Sequence, residues 1–187
     1  MNIAILIPHL KVAGGVRVTL TYANYLHDFG HTVCVYVFGH QSLLDKATRL
    51  VQLKPRWMPI KGQVRYVSEI PSDLLRSDVI LADSWSLAQK LLPHQHTLRT
   101  FHLIQHDERL YHGRADDVST VYASDLKKVV VSSWLQEMLY KDFTKQSALL
   151  LNSFDKALFH PVPQERARSS EFRILLLDHS YEWKGTD

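Results

Sequence analysis

A chain of 187 residues, 45% hydrophobic and 22% charged, has the make-up of one ordinary soluble domain with a short extension. The net charge of +3 comes from scattered basic residues, Lys54, Arg56, Lys61 and Arg65 in a loose group and Lys127-Lys128 as a pair; an ordinary solvated surface is the default reading, and the pattern argues weakly for an acidic partner surface such as anionic lipid and weakly against nucleic acid. No apolar run approaches the roughly 20 residues of a membrane-spanning helix, and no basic leader precedes the first apolar segment; the one cysteine, Cys34, reads as a buried thiol of a reducing, cytoplasmic compartment.

Asn2 to Ile7 is short and apolar throughout, the pattern of a strand covered on both faces. Pro8-His9 stops it, and Gly14-Gly15 lets the backbone come close to whatever lies above the strand end. Val16, Leu20, Ala23 and Leu26 recur at helical spacing and Gly30 supplies a helix stop, after which Val33 to Phe38 predicts a second strand. A strand, glycine loop, helix and strand in this order present free backbone N–H groups to an anion. A dinucleotide is not the expected ligand. The loop Ala13-Gly14-Gly15-Val16-Arg17-Val18 lacks the three-glycine spacing, and the second strand ends in Phe38-Gly39-His40-Gln41 without a carboxylate for the ribose. A mere tight turn is the plain alternative for Gly14-Gly15.

Residues 42–53 read as a short helix and Pro55 to Pro59 as a loop, with strands expected over 64–67, 77–82 and 98–104. Asp83 or Ser84 is expected to cap a helix through Trp85, Leu87, Ala88 and Leu91 that Pro93 ends. Gln105-His106-Asp107-Glu108 follows the third of those strands. A helix is expected over 118–126 and a β-branched strand over 128–131. Ser133 with Gln136 fits a capping box opening a helix whose apolar face is Leu135, Met138, Leu139 and Phe143; Ala148 to Leu151 is the next strand. Trp85 and Trp134 are expected to pack on the sheet. The alternation makes an α/β, doubly wound parallel sheet of Rossmann type over residues 1–160, with ligands at the carboxyl ends of its strands. Residues 161–170 read as a linker, and Phe172 to Leu177 as the first strand of a second domain, 171–187, just inside which the chain is expected to stop.

Four segments, in this order, resemble the retaining glycosyltransferases of the GT-B superfamily, family 4 in particular. They are Gly14-Gly15-Val16-Arg17-Val18 with Gly30-His31-Thr32-Val33; Val129 to Leu135; Asn152-Ser153-Phe154-Asp155 with Phe159-His160-Pro161; and Ile174 to Leu177 with Lys184-Gly185-Thr186-Asp187. Gln105 to Glu108 with Tyr111 is similar to rhamnosyltransferase-like members. The resemblance implies an acceptor-side amino-terminal domain facing a donor domain, and a nucleotide sugar delivered to a glycan or a lipid-linked acceptor, at the membrane surface if the acceptor is lipid-linked. It implies donor contacts from Gly14, Gly15, Val16 and Lys184, a catalytic-site place for His106, and acceptor contacts from Arg17, Asp107 and Glu108. No metal or other cofactor is expected, and the 187-residue chain alone is expected to be inactive. Ser153 and Asp178 depart from the pattern: glycine is usual at the first, and an arginine is usual near the second. A non-catalytic binding or regulatory module and a nucleotide-sugar epimerase remain the rival readings.

No Asp-x-Asp occurs, which argues against a metal-dependent transferase of the other fold type. His94 and His96, or His102 and His106, lack the cysteines or spaced carboxylate of a zinc site. Ser84 and Ser133 lack the glycine surroundings of a hydrolase nucleophile.

Overall fold

The computed structural model describes residues 1–39, 54–111, 113–152, 160–161 and 174. It divides into two compact units, Met1–Asn152 and Ser153–Asp187. The short helix expected over 42–53 lies outside the described residues. So do Ser153 to Asp155, most of the expected linker, nearly all of the expected strand over 172–177, Asp178 and Lys184.

Among the described residues the first unit is built on seven strands: β1 (Asn2–Ile7), β2 (Thr32–Val37), β3 (Gln63–Tyr66), β4 (Val79–Ala82), β5 (Thr100–Ile104), β6 (Lys127–Val130) and β7 (Ser147–Leu149). They lie side by side in the order β3-β2-β1-β4-β5-β6-β7, and every pairing is parallel. The expected doubly wound Rossmann-like α/β sheet is therefore present. Among the described residues four α-helices connect the strands: α1 (Gly14–Asp28), α2 (Trp85–Leu91), α3 (Ala115–Ala123) and α4 (Ser133–Phe143).

The apolar runs do what their composition dictates. Ala4, Ile5, Leu6 and Ile7 of β1, an inner strand, are fully buried. Ile3, Ile5 and Ile7 pack with Val16, Leu20 and Ala23 of α1 on one face; Ala4 and Leu6 pack with Leu87, Ala88 and Leu91 of α2 on the other. A third cluster joins Ile104 and Val130 to Tyr122 of α3 and to Leu135 and Leu139 of α4. Gly30, at φ +85°, ends α1 in the left-handed region that glycine enters without strain.

Local details differ from the sequence reading. Ser84 is the residue before α2, but neither it nor Asp83 caps the helix; the Trp85 N–H donates to Glu108 Oε1 at 2.9 Å. The capping box at α4 is not formed. Ser132 takes the cap position without a side-chain bond, and Gln136 donates to the Ser147 carbonyl at 2.8 Å. Trp134 is 53% exposed rather than packed on the sheet, because it occupies the outward face of the first turn while Leu135 turns inward. Trp85 is half-buried against two core clusters, and Cys34 is half rather than fully buried.

Candidate functional site

In this strand order the chain runs outward from β1 to β3, then returns to β4 and continues the other way. The crevice beyond the carboxyl ends of β1 and β4 is the switch point where open parallel sheets bind ligands. Pro8-His9 leaves β1 there and Asp83-Ser84 leaves β4.

The β1–α1 loop delivers the glycine pair to the same place. Ala13, extended at φ −155° and ψ 145°, precedes α1 without a side-chain cap, and no acidic residue stands in the first turn. Arg17 N–H is the first to bond back, to the Ala13 carbonyl at 3.0 Å. The N–H groups of Gly14, Gly15 and Val16 lie ahead of that first helical bond, so three donors sit at the positive end of a 15-residue helix. Gly14 is exposed, and a Cβ added to it would meet nothing within 4 Å. Val16 is buried, and Arg17 is exposed on the first turn.

The loop is braced on both sides. Trp57 Nε1 donates to the Leu10 carbonyl at 2.9 Å, and Asn24 of α1 ties down the Trp57 segment through the Pro59 carbonyl at 2.8 Å. From the other side, Gln105 Nε2 lies 3.2 Å from the Gly15 carbonyl oxygen, 3.3 Å from Thr19 Oγ1 and 2.6 Å from Asp83 Oδ1. Asp83 retains some accessible surface as a residue, but enough protein surrounds its carboxyl for desolvation to push its pKa up to about 8. Hydrogen bonds from Thr19 and Gln105 act in the opposite sense, and Glu108 reinforces the rise. His9 is held below its usual pKa, by burial first and then by Lys11; its Nδ1 is buried with no hydrogen-bond partner among the described residues.

The loop after β5 places His106, Asp107 and Glu108 at this same rim. His106 is half-buried, and its carbonyl accepts from the Tyr122 hydroxyl at 3.4 Å. Asp107 is 6% exposed and grips Arg109, with Oδ2 at 2.7 Å from Nη2; Arg109 in turn meets Asp142 at 2.9 Å. Desolvation works to raise the Asp107 pKa, but the hydrogen bonds and charge of Arg109 outweigh it and hold the group low. Glu108 is 5% exposed, with one oxygen on the α2 N-terminus and the other 3.2 Å from Nε2 of fully buried His102. Both carboxyl groups are thus engaged inside the protein, not offered to solvent. A surface depression of about 410 Å³ lies against α4 and β7, lined by Ser133, Gln136, Tyr140 and Lys145, and involves none of the switch-point residues.

The glycine loop was thus legible in the sequence, whereas His9, Asp83, Thr19 and Gln105 were not singled out as site residues. Their one sequence signal is position: His9, Asp83 and Gln105 each fall within two residues of the end of an apolar strand.

A parallel sheet with a bare glycine-led helix N-terminus at its switch point defines a Rossmann-like domain able to receive an anionic ligand. No protein-family model and no curated protein matches the chain. Among solved structures it is similar to HepE of Anabaena in complex with UDP, at TM-score 0.62 and 13% identity over 87% of this chain and 47% of that one. HepE with UDP-glucose gives 0.59 at 12% identity, with coverage of 87% and 47%. HepE with UDP and glucose gives 0.58 at 12%, with coverage of 86% and 47%. The chain spans about half the length of HepE, and at this identity the likeness is one of fold.

Proposed function

We propose that the chain is the acceptor-side domain of a GT-B glycosyltransferase of the retaining, family 4 type. It would transfer a hexose from a nucleotide sugar, UDP-glucose or a close analogue, to a glycan or lipid-linked acceptor. The observation that carries this reading is the set of N–H groups of Gly14, Gly15 and Val16 at the switch point of a sheet whose fold matches a protein seen with UDP-glucose. As the bond from the anomeric carbon to the diphosphate breaks, charge grows on the departing phosphate oxygen, and donors already aimed at that place lower the barrier. Front-face attack lets that phosphate take the acceptor proton, so no carboxylate base is required of this domain.

In this reading Gly14, Gly15 and Val16 face the phosphates and the transferred sugar, and Lys184 adds charge from the donor side. His106 stands beside the sugar, and exposed Arg17 meets the acceptor. Asp107 and Glu108 shape the acceptor side through Arg109 and α2 rather than by touching solvent-borne groups. Among the described residues no helix is long and apolar enough to cross a membrane, so a lipid-linked acceptor would be met from the bilayer surface.

Calorimetric titration of the chain with UDP, UDP-glucose, GDP-mannose and NAD tests the proposal. Binding of UDP and UDP-glucose, lost in Gly14→Val, is the expected result; preference for NAD, or no nucleotide binding at all, overturns it. The binding-module alternative is favoured by Asp178, an anion where the resembled family has an arginine. Nucleotide-sugar binding without transfer to any acceptor by a two-domain form would establish that alternative.

A further inference from the structure

We infer that Gln105, anchored by Asp83 and Thr19, is the positioning residue that holds the glycine loop as a donor-only surface. The inference rests on the reading of that loop as the nucleotide-sugar site. Gln105 comes from the end of β5, one strand beyond β4, and reaches over the end of β4 to the first turn of α1. Its amide nitrogen has two hydrogens and three oxygens within reach. One hydrogen goes to Asp83 Oδ1 at 2.6 Å, and the other is shared between the Gly15 carbonyl at 3.2 Å and Thr19 Oγ1 at 3.3 Å. Thr19 is itself fully buried and bonds to Asp83, which closes the triangle.

The consequence for the loop is directional. Holding the Gly15 carbonyl against the sheet fixes the peptide planes of the first turn, so its N–H groups point the other way, into the crevice. The fit is close. A Cβ on Gly15 would stand 3.1 Å from Gln105 Nε2, whereas one on Gly14 would meet nothing. Gly15 therefore admits Gln105, and Gly14 is left open to the ligand. A loop fixed beforehand does not have to be ordered by the ligand, and that raises affinity without any new contact.

The test compares Gln105→Ala, Gln105→Met, Thr19→Val and Thr19→Ser by amide hydrogen exchange and by UDP titration. The informative amides are Arg17, Val18 and Thr19, the first bonded ones of α1; those of β1 and β4 report the rest of the unit. In Gln105→Ala, Gln105→Met and Thr19→Val, exchange at Arg17–Thr19 is expected to rise about tenfold with the strand amides unchanged, and UDP affinity to fall about tenfold. Thr19→Ser is expected to keep wild-type exchange. Wild-type exchange at Arg17–Thr19 in both Gln105→Met and Thr19→Val overturns the inference. Equal acceleration of strand and loop amides also overturns it, because that is a merely structural role. If wild-type protein binds no UDP while Gln105→Met still loosens the loop, the nucleotide-sugar reading fails and the positioning role stands. If wild-type protein binds UDP and Gln105→Met changes neither readout, the reverse holds.

Discussion

At the scale of single residues, the two adjacent glycines of the loop have different duties, and a methyl group tells them apart. Gly14→Ala adds its Cβ to open space, so thermal stability is expected to stay within about 0.5 kcal/mol of wild type. UDP affinity is expected to fall, since the methyl enters the crevice; unchanged titration would remove Gly14 from the site. Asp83 sets a pH dependence. Its proton leaves near pH 3.8 in the unfolded chain and near pH 8 in the folded one, so between these values the folded state holds the extra proton and stability declines as pH rises. Its contribution is fully present below about pH 4 and lost through pH 8. Asp83→Asn, which keeps an acceptor for Gln105, should flatten that decline by something on the order of 1–3 kcal/mol between pH 5 and 8, read from denaturant midpoints. Lys128 acts in a separate window: burial lowers its pKa to about 8, and stability gained from it appears only as pH climbs from there toward 10.5. None of this could be read from the linear chain, where Asp83 is simply the polar residue after an apolar strand.

At the scale of elements, two contacts across the sequence decide how strands and helices join. Gly62 enters β3 so close to β2 that a Cβ would lie 2.5 Å from the Val33 carbonyl oxygen. Gly62→Ala must push the β3 edge away and should cost about 1–3 kcal/mol in chemical unfolding, with loss of the Cys34 to Gln63 register. Glu108 closes α2 from a loop 23 residues away, in place of the local serine cap. Glu108→Ala leaves the Trp85 N–H and His102 Nε2 without that carboxylate and should cost about 2–4 kcal/mol, and Glu108→Gln distinctly less. Equal losses in the two variants would show that charge, not hydrogen bonding, dominates there. Element types were legible because β-branched and apolar runs of strand length alternate with helical spacing, as in Val129 to Leu139. The caps were not, because Ser133 and Gln136 satisfy a local rule that the bond from Gln136 to Ser147 overrides.

At the scale of the molecule, several of the basic residues that suggested an acidic surface are engaged within the fold. Lys61 pairs with Asp28 at 2.6 Å, Arg65 pairs with Asp73, and Lys128 is buried on backbone carbonyls. If the crevice takes a diphosphate, UDP should stabilise the folded unit by mass action, about 2.7 kcal/mol at a hundredfold excess over Kd, whereas glucose alone should leave the melting temperature unmoved. A thermal shift with glucose and none with UDP would contradict the donor assignment. The sequence by itself determined the alternating element types, the glycine loop and the stop at Gly30, because each depends on backbone freedom and periodicity within a few neighbouring residues. The alternation of elements pointed to the doubly wound class, but only the tertiary structure decided that the side chains of Asp83 and Gln105, some 70 to 90 residues from the loop, stand against its first turn. Which side chains meet across neighbouring strand ends is settled by packing between distant segments, and no local pattern in the chain carries it.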